Sequence, residues 1–136
     1  MSGPHELINP GSLAPPVGFS HAVVAAPGRM VFIGGQTAHG PEGKVAGETV
    51  AEQFQAAAAN LVRVLEASGA RPEHLVSVQI FVTDADAYRA SLREIGQAWR
   101  RHLGKQYPAV ALFEVRSLFD PAAKVELTAT AVIPGA

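Results

Sequence analysis

The chain has 136 residues and a mass of 14.2 kDa, the size of one domain. A chain of this length buries roughly two-thirds of its unfolded surface, so it needs no disulfide or metal staple. Its 48% apolar and 17% charged residues exclude disorder, and 11 basic against 12 acidic side chains leave a formal net charge of −1. That balance excludes an extended nucleic-acid-binding surface, while leaving room for a small local basic patch. With no cysteine, thiol nucleophiles, thiolate metal sites and disulfides are excluded together.

Residues 1–16 carry Pro4, Pro10, Pro15 and Pro16 with Gly3 and Gly11, and predict an extended arm leading into a single domain that spans 1–136. Residues 1–6 lack a charged stretch followed by an apolar core, so no signal peptide is predicted. No apolar run reaches about 18 residues, so no membrane span is predicted and a cytoplasmic location is expected. Strands are expected near 19–25 and 29–37, joined as a hairpin through Pro27-Gly28. Gly34-Gly35 interrupts the second of these and marks a bulge or a close backbone approach.

Thr49-Val50-Ala51-Glu52 has the form of a capping box, in which the Thr hydroxyl and the Glu carboxylate satisfy each other's free backbone N–H groups. Phe54, Ala57, Ala58, Leu61 and Leu65 then recur at helical spacing, and Gly69 with Pro72 stops the helix. A strand over 75–83 alternates Val76, Val78, Ile80 and Val82 with Ser77, Gln79, Phe81 and Thr83. Asp84 or Asp86 caps a second helix whose apolar stripe is Tyr88, Leu92, Ile95, Trp99 and Leu103, ended by Gly104. Final strands are expected near 109–116 and 124–133. The order β-β-α-β-α-β-β makes a two-layer α+β sandwich, with two helices on one face of a mixed sheet. Strand parity puts Phe81, Val110, Leu112 and Val132 on the other face, which is too apolar for bulk water and points to an oligomer.

The ordered set Phe19-Ser20-His21-Ala22, Gly34-Gly35-Gln36, Glu52-Gln53, Asn60-Leu61, Val82-Thr83-Asp84, Tyr107-Pro108-Ala109 and Val125-Glu126-Leu127 resembles the Rid (YjgF) family. The likeness runs from about Asn9 to Ile133. It implies a chorismate-mutase-like fold, a homotrimer with clefts between subunits, and a small-molecule ligand. It also implies cofactor-independent hydrolysis of reactive 2-imino or enamine acids to 2-keto acids and ammonia. No metal, nucleic acid or membrane partner is expected.

One departure limits that transfer. The family's carboxylate-clamping Arg, which follows Pro-Ala, is Val110 here. Leu112 stands where many members keep a Cys, Gly34 replaces the Ser before Gly-Gln, and Phe19 replaces the usual phenol. A charge-assisted hydrogen bond is worth roughly 1.5–3 kcal/mol, so its loss weakens capture of an imino-acid carboxylate by about 10–100-fold. Arg116 shares the parity of Val110 but lies ~20 Å further along an extended strand. Glu126 is the candidate catalytic carboxylate, placed to orient and deprotonate water. Phe19, Gly34, Gly35, Val110, Leu112 and His21 are the candidate substrate-binding residues. The bland alternatives are a structural bulge at Gly34-Gly35, an interface carboxylate at Glu126 and a hydrogen-bonded strand His at 21. The expected function is binding, and hydrolysis, of a small imine-, enamine- or carbonyl-type metabolite, without efficient 2-imino acid deamination. The alternative is a non-catalytic binding or protein-interaction module on the same fold.

Overall fold

The computed structural model describes residues 3–135. Of the arm over 1–16, Met1 and Ser2 lie outside the described residues; the rest contains a short strand β1 (Glu6–Ile8). There follow β2 (Ala22–Val24), β3 (Gly28–Gln36), α1 (Val50–Ala67), a single tight turn of 3-10 helix (Pro72–His74) and β4 (Leu75–Val82). Then come α2 (Ala85–Ala90), α3 (Leu92–Leu103), β5 (Ala109–Glu114) and β6 (Val125–Pro134). Four strands form a mixed sheet in the order β3-β6-β4-β5, with only β4 and β5 parallel. The helices pack on one face of it, so the architecture is the two-layer α+β sandwich expected.

Helix α1 begins as its sequence dictates. The Thr49 hydroxyl accepts from the Glu52 N–H at 3.1 Å, and the Glu52 carboxylate accepts from the backbone of Thr49 and Glu48. Those bonds hold the Glu52 carboxyl below its ordinary pKa, the Glu48 backbone N–H contributing most. The helix ends where Gly69 turns to φ +81°, and the Ala70 N–H returns to the Leu65 carbonyl at 2.8 Å. Phe54, Ala57, Ala58, Leu61 and Leu65 are fully buried against Val78, Val82, Val125 and Leu127 of the sheet.

Three expectations are corrected. The hairpin between β2 and β3 does not form, because β2 pairs with β1 in a separate ribbon. The cause lies at Ser20, whose N–H donates to the Pro108 carbonyl at 2.9 Å and whose hydroxyl donates to the Tyr107 carbonyl at 2.7 Å. That anchor holds the start of β2 at β5, at the opposite edge of the sheet from β3. The second helix is also two helices. Asp84 caps α2 by accepting from the Ala87 N–H, and the chain breaks at Ser91 before α3 starts. The break carries Leu92 off the apolar stripe and leaves it 57% exposed, whereas Ile95, Trp99 and Leu103 stay buried. Third, Val110 and Leu112 are not on the open face. Their register partners are Val78 and Ile80, which belong to the helix-covered core. Phe81 does lie on the open face. Val132 keeps that parity too but is buried, and its carbonyl accepts from His5.

His5 closes the arm onto the domain. Its Nδ1 accepts from the Ala26 N–H at 3.0 Å, which places the ring proton on Nε2, within reach of the His74 and Val132 carbonyls.

Candidate functional site

The open face of the sheet is set by the pleat. Register pairs Phe81 with Glu126, Gln79 with Thr128, and Thr130 with both Ser77 and Phe32. Phe113 falls on the same side, its ring stacked on Phe81 at 5.4 Å. Phe32 is 74% exposed and Met30 59%, so nothing among the described residues covers the β3 side of the face. Down its middle runs a polar row in which the Thr128 hydroxyl donates to Gln79 Oε1 at 3.0 Å. None of the named residues on this face is basic.

Glu126 lies at the end of that row beside the expected bulge. Between Ile33 and Gln36 the register slips, so Gly34 and Gly35 together oppose Thr128. The half-buried Glu126 carboxylate lies across Gly35, where a Cβ would stand 1.6 Å from its Oε2 and 2.6 Å from its Cδ. A side chain at Gly35 would displace the Glu126 carboxylate, so this glycine matters for space rather than for a left-handed φ. A Cβ at Gly34, by contrast, meets nothing within 4 Å. Among the described residues no ion pair holds the Glu126 carboxylate.

A second group gathers at the start of β5. The Ser20 anchor turns Phe19 and His21 out on either side of it, and their rings meet edge to face at 5.3 Å. His21 is held by its backbone N–H to Asn9 Oδ1 and by Nε2 to the Ala14 carbonyl. Phe19, His21, Ser77, Gln79, Ala109 and Val110 line a hollow of about 300 Å³. No Lys or Arg lines it. Val110 reaches this hollow from the edge strand while its side chain packs on the margin of the core. Leu112 lies further along β5, 37% exposed. Within one chain, then, Phe19, His21 and Val110 form one group, Glu126 and Gly35 another, and Gly34 and Leu112 join neither. Arg116 lies beyond the end of β5.

Sequence reasoning treated Gln53 and Asn60 only as parts of a pattern; their side chains brace the site. Gln53 is 1% exposed. Its Nε2 donates to the Gly47 and Ala122 carbonyls, and its Oε1 accepts from the Lys124 N–H at 2.7 Å. That last bond fixes the chain two residues before Glu126. Asn60 Nδ2 donates to the Thr37 and His39 carbonyls, fastening the loop that leaves the bulge. The legible signal was an amide on the buried side of an apolar helix, which must find backbone partners. Among the described residues no cluster of His, Asp and Glu is arranged to hold a metal ion, and no helix is long and apolar enough to cross a membrane.

Comparison with known proteins gives these features a family. The model described as endoribonuclease L-PSP matches residues 11–133. A crystal structure of a Rid-family protein of unknown function from Yersinia pestis is 33% identical, with a TM-score of 0.87, covering 96% of this chain and 99% of that one. A YjgF-family member from Neisseria meningitidis is 31% identical, with a TM-score of 0.62 and coverage of 87% and 89%. A Mycobacterium tuberculosis member of the same family is 27% identical, with a TM-score of 0.63 and coverage of 95% and 99%. A search of curated proteins returned no match. With that model matching nearly the whole chain and a Rid-family structure 33% identical over 96% of it, the chain belongs to the Rid (YjgF) family.

Proposed function

We propose that the protein binds a small imine-, enamine- or carbonyl-type metabolite in a cleft completed by a neighbouring subunit of a homotrimer, and that Glu126 directs water onto it. The observation that carries this reading is the Glu126 carboxylate, laid across Gly35 on the open face with no ion pair to it among the described residues. The separation of Phe19, His21 and Val110 from Glu126 supports the second subunit, since one chain does not bring the two groups together. In the reaction, Glu126 takes a proton from water as the oxygen attacks the C=N carbon. That proton passes to nitrogen to give a carbinolamine; the remaining hydroxyl proton then follows it to nitrogen as the C=O bond forms and the C–N bond breaks, and a carbonyl and ammonia leave. The backbone at Gly35 holds a polar atom of the ligand, and Phe19 with Val110 forms an apolar wall.

Val110 at the clamp position makes a free carboxylate on the substrate a poor handle. A coupled ammonia-release assay with 2-imino acids generated in situ is therefore expected to show weak turnover, raised by Val110→Arg. Fast turnover by the unaltered protein, abolished by Glu126→Gln, would overturn the inference from Val110. Binding without chemistry on the same fold is the second reading. It is favoured by the apolar side chains at 19, 110 and 112, and would show as thermal stabilisation by small carbonyl compounds with no product formed.

A further inference from the structure

A larger hollow lies away from this site and shares none of its lining residues. It measures about 720 Å³ and opens between the arm at Gly3-Pro4, the 3-10 turn, the end of α3 and the loop after it. Its rim holds Arg71, Arg100, Arg101 and Lys105, four of the chain's 11 Lys and Arg, but only Glu73 of its 12 acids. Glu73 pairs with Arg71 at 3.3 Å. Arg100 and Arg101 in the last turn of α3 offset the helix's own negative end. Arg71 and Lys105 come from outside that helix, so the excess of positive charge is more than a helix complement. Two imidazoles, His74 and His102, also line the hollow. Burial is the first cause lowering the His74 and His102 pKa values; Arg71 adds to it for His74, against Glu73, and Arg101 with Arg63 adds to it for His102.

We infer that this hollow binds a small molecule carrying two neighbouring phosphate groups or an equivalent pair of anions. Four cations against one acid leave an excess of three positive charges on the rim. One phosphate group carries about −1.5 to −2 at neutral pH, so a pair matches that excess and a single carboxylate does not. The volume suits a metabolite rather than a chain, since small-molecule sites run from about 300 to 1,000 Å³. Guanidinium groups from two separate elements offer the fork geometry that phosphate oxygens accept.

Titration calorimetry with inorganic pyrophosphate at about 50 mM salt tests this, because higher salt shortens the range of surface charge. The expected result is saturable binding, weakened at least about tenfold in an Arg71→Gln, Lys105→Gln double variant that melts at the unaltered temperature. Glu73→Gln removes the internal competitor for Arg71 and is expected to tighten binding severalfold. Lys44→Gln, outside the hollow, is expected to change nothing. No heat with pyrophosphate, equal weakening by Lys44→Gln, or weaker binding by Glu73→Gln would each overturn the assignment. So would a short RNA that binds tightly through the same cations while pyrophosphate stays silent, since that places the phosphates on a polymer.

Discussion

The two faces of the β3-β6-β4-β5 sheet are built from alternate residues of the same strands, yet they are energetically unlike. Toward the helices, Val78, Val82, Val125 and Leu127 are fully buried, and Phe54 of α1 sits between Tyr88 and Trp99, its ring 6.3 Å from the Trp99 ring. Burial on that side pushes the Tyr88 phenol up to about 12. On the other face Phe32 and Met30 stand largely in solvent, Phe113 is 43% exposed, and a carboxylate sits among them. One face is a finished core. The other leaves large apolar side chains in solvent, and the candidate carboxylate lies among them.

The sharpest break in that comparison is Leu127→Ala against Phe32→Ser. Deleting Leu127 leaves a cavity in the covered face and is expected to cost about 2–5 kcal/mol at every protein concentration. Phe32→Ser removes little that this chain itself buries, so its intrinsic cost is expected within about 0.5 kcal/mol. Its effect should appear instead as dissociation in light scattering. Urea midpoints measured at two protein concentrations separate these outcomes. A concentration-independent loss for Phe32→Ser as large as that for Leu127→Ala would show that the open face is not an interface.

Next in size is Gln53→Leu. It keeps the volume but leaves the Gly47 and Ala122 carbonyls and the Lys124 N–H without their partner. Stranding such groups costs about 1–3 kcal/mol each where water is excluded, and relaxation at the loops should hold the total near 2–4 kcal/mol. Because Lys124 leads directly into Glu126, ligand binding at the open face should fall as well. A variant that loses stability but keeps full binding would mean that the brace does not position the carboxylate.

The helix boundaries were legible because capping is local. Thr49 with Glu52, Gly69 and Gly104 carry their geometry within a few residues, and so does the bulge at Gly34-Gly35. Strand pairing was not legible in the same way. Nothing within residues 19–37 says that Ser20 will bond to Pro108 and Tyr107, a contact across 87 positions, so the local turn signal at Pro27-Gly28 read as a hairpin. The parity of Val110 failed for a related reason. Which side a strand's first residue faces depends on the register against β4, and an edge strand of mixed Ala, Val, Leu and Phe gives no alternation to fix it. The open-face position of Glu126 follows from alternation, because Val125, Leu127, Ala129 and Ala131 form an unbroken buried series around it. Its fit against Gly35 is set by the pairing of β3 with β6, which no local residue pattern carries.

Gly35→Ala probes that fit. The added methyl would overlap the Glu126 carboxylate, and displacing the side chain or the bulge is expected to cost about 1–3 kcal/mol. Glu126→Ala in the same background removes the clash. The double variant should therefore be more stable than the sum of the two single losses predicts, a coupling visible in a double-mutant cycle. Additive losses would mean that the carboxylate leaves the bulge without resistance, and that Gly35 serves the fold rather than the site.

The smallest expected effect is a pH dependence that belongs to neither face but to the end of the sheet where the arm docks. His74 and His102 both have lowered pKa values, burial being the first cause in each. His74 Nδ1 accepts from the Arg71 N–H, while Arg71 and the His5 ring oppose a proton on it and Glu73 favours one. The unfolded chain takes up protons at its ordinary imidazole value near 6.5, before the folded chain does, so acid favours unfolding. The stability linked to these groups is fully present above that value and is lost as pH falls from it toward the lowered folded values. Urea midpoints are expected to drop between pH 7.5 and 5.5, and the drop should shrink when His74→Asn and His102→Gln are combined. An undiminished drop in that variant would assign the acid sensitivity to other groups and leave the junction between arm and turn indifferent to pH.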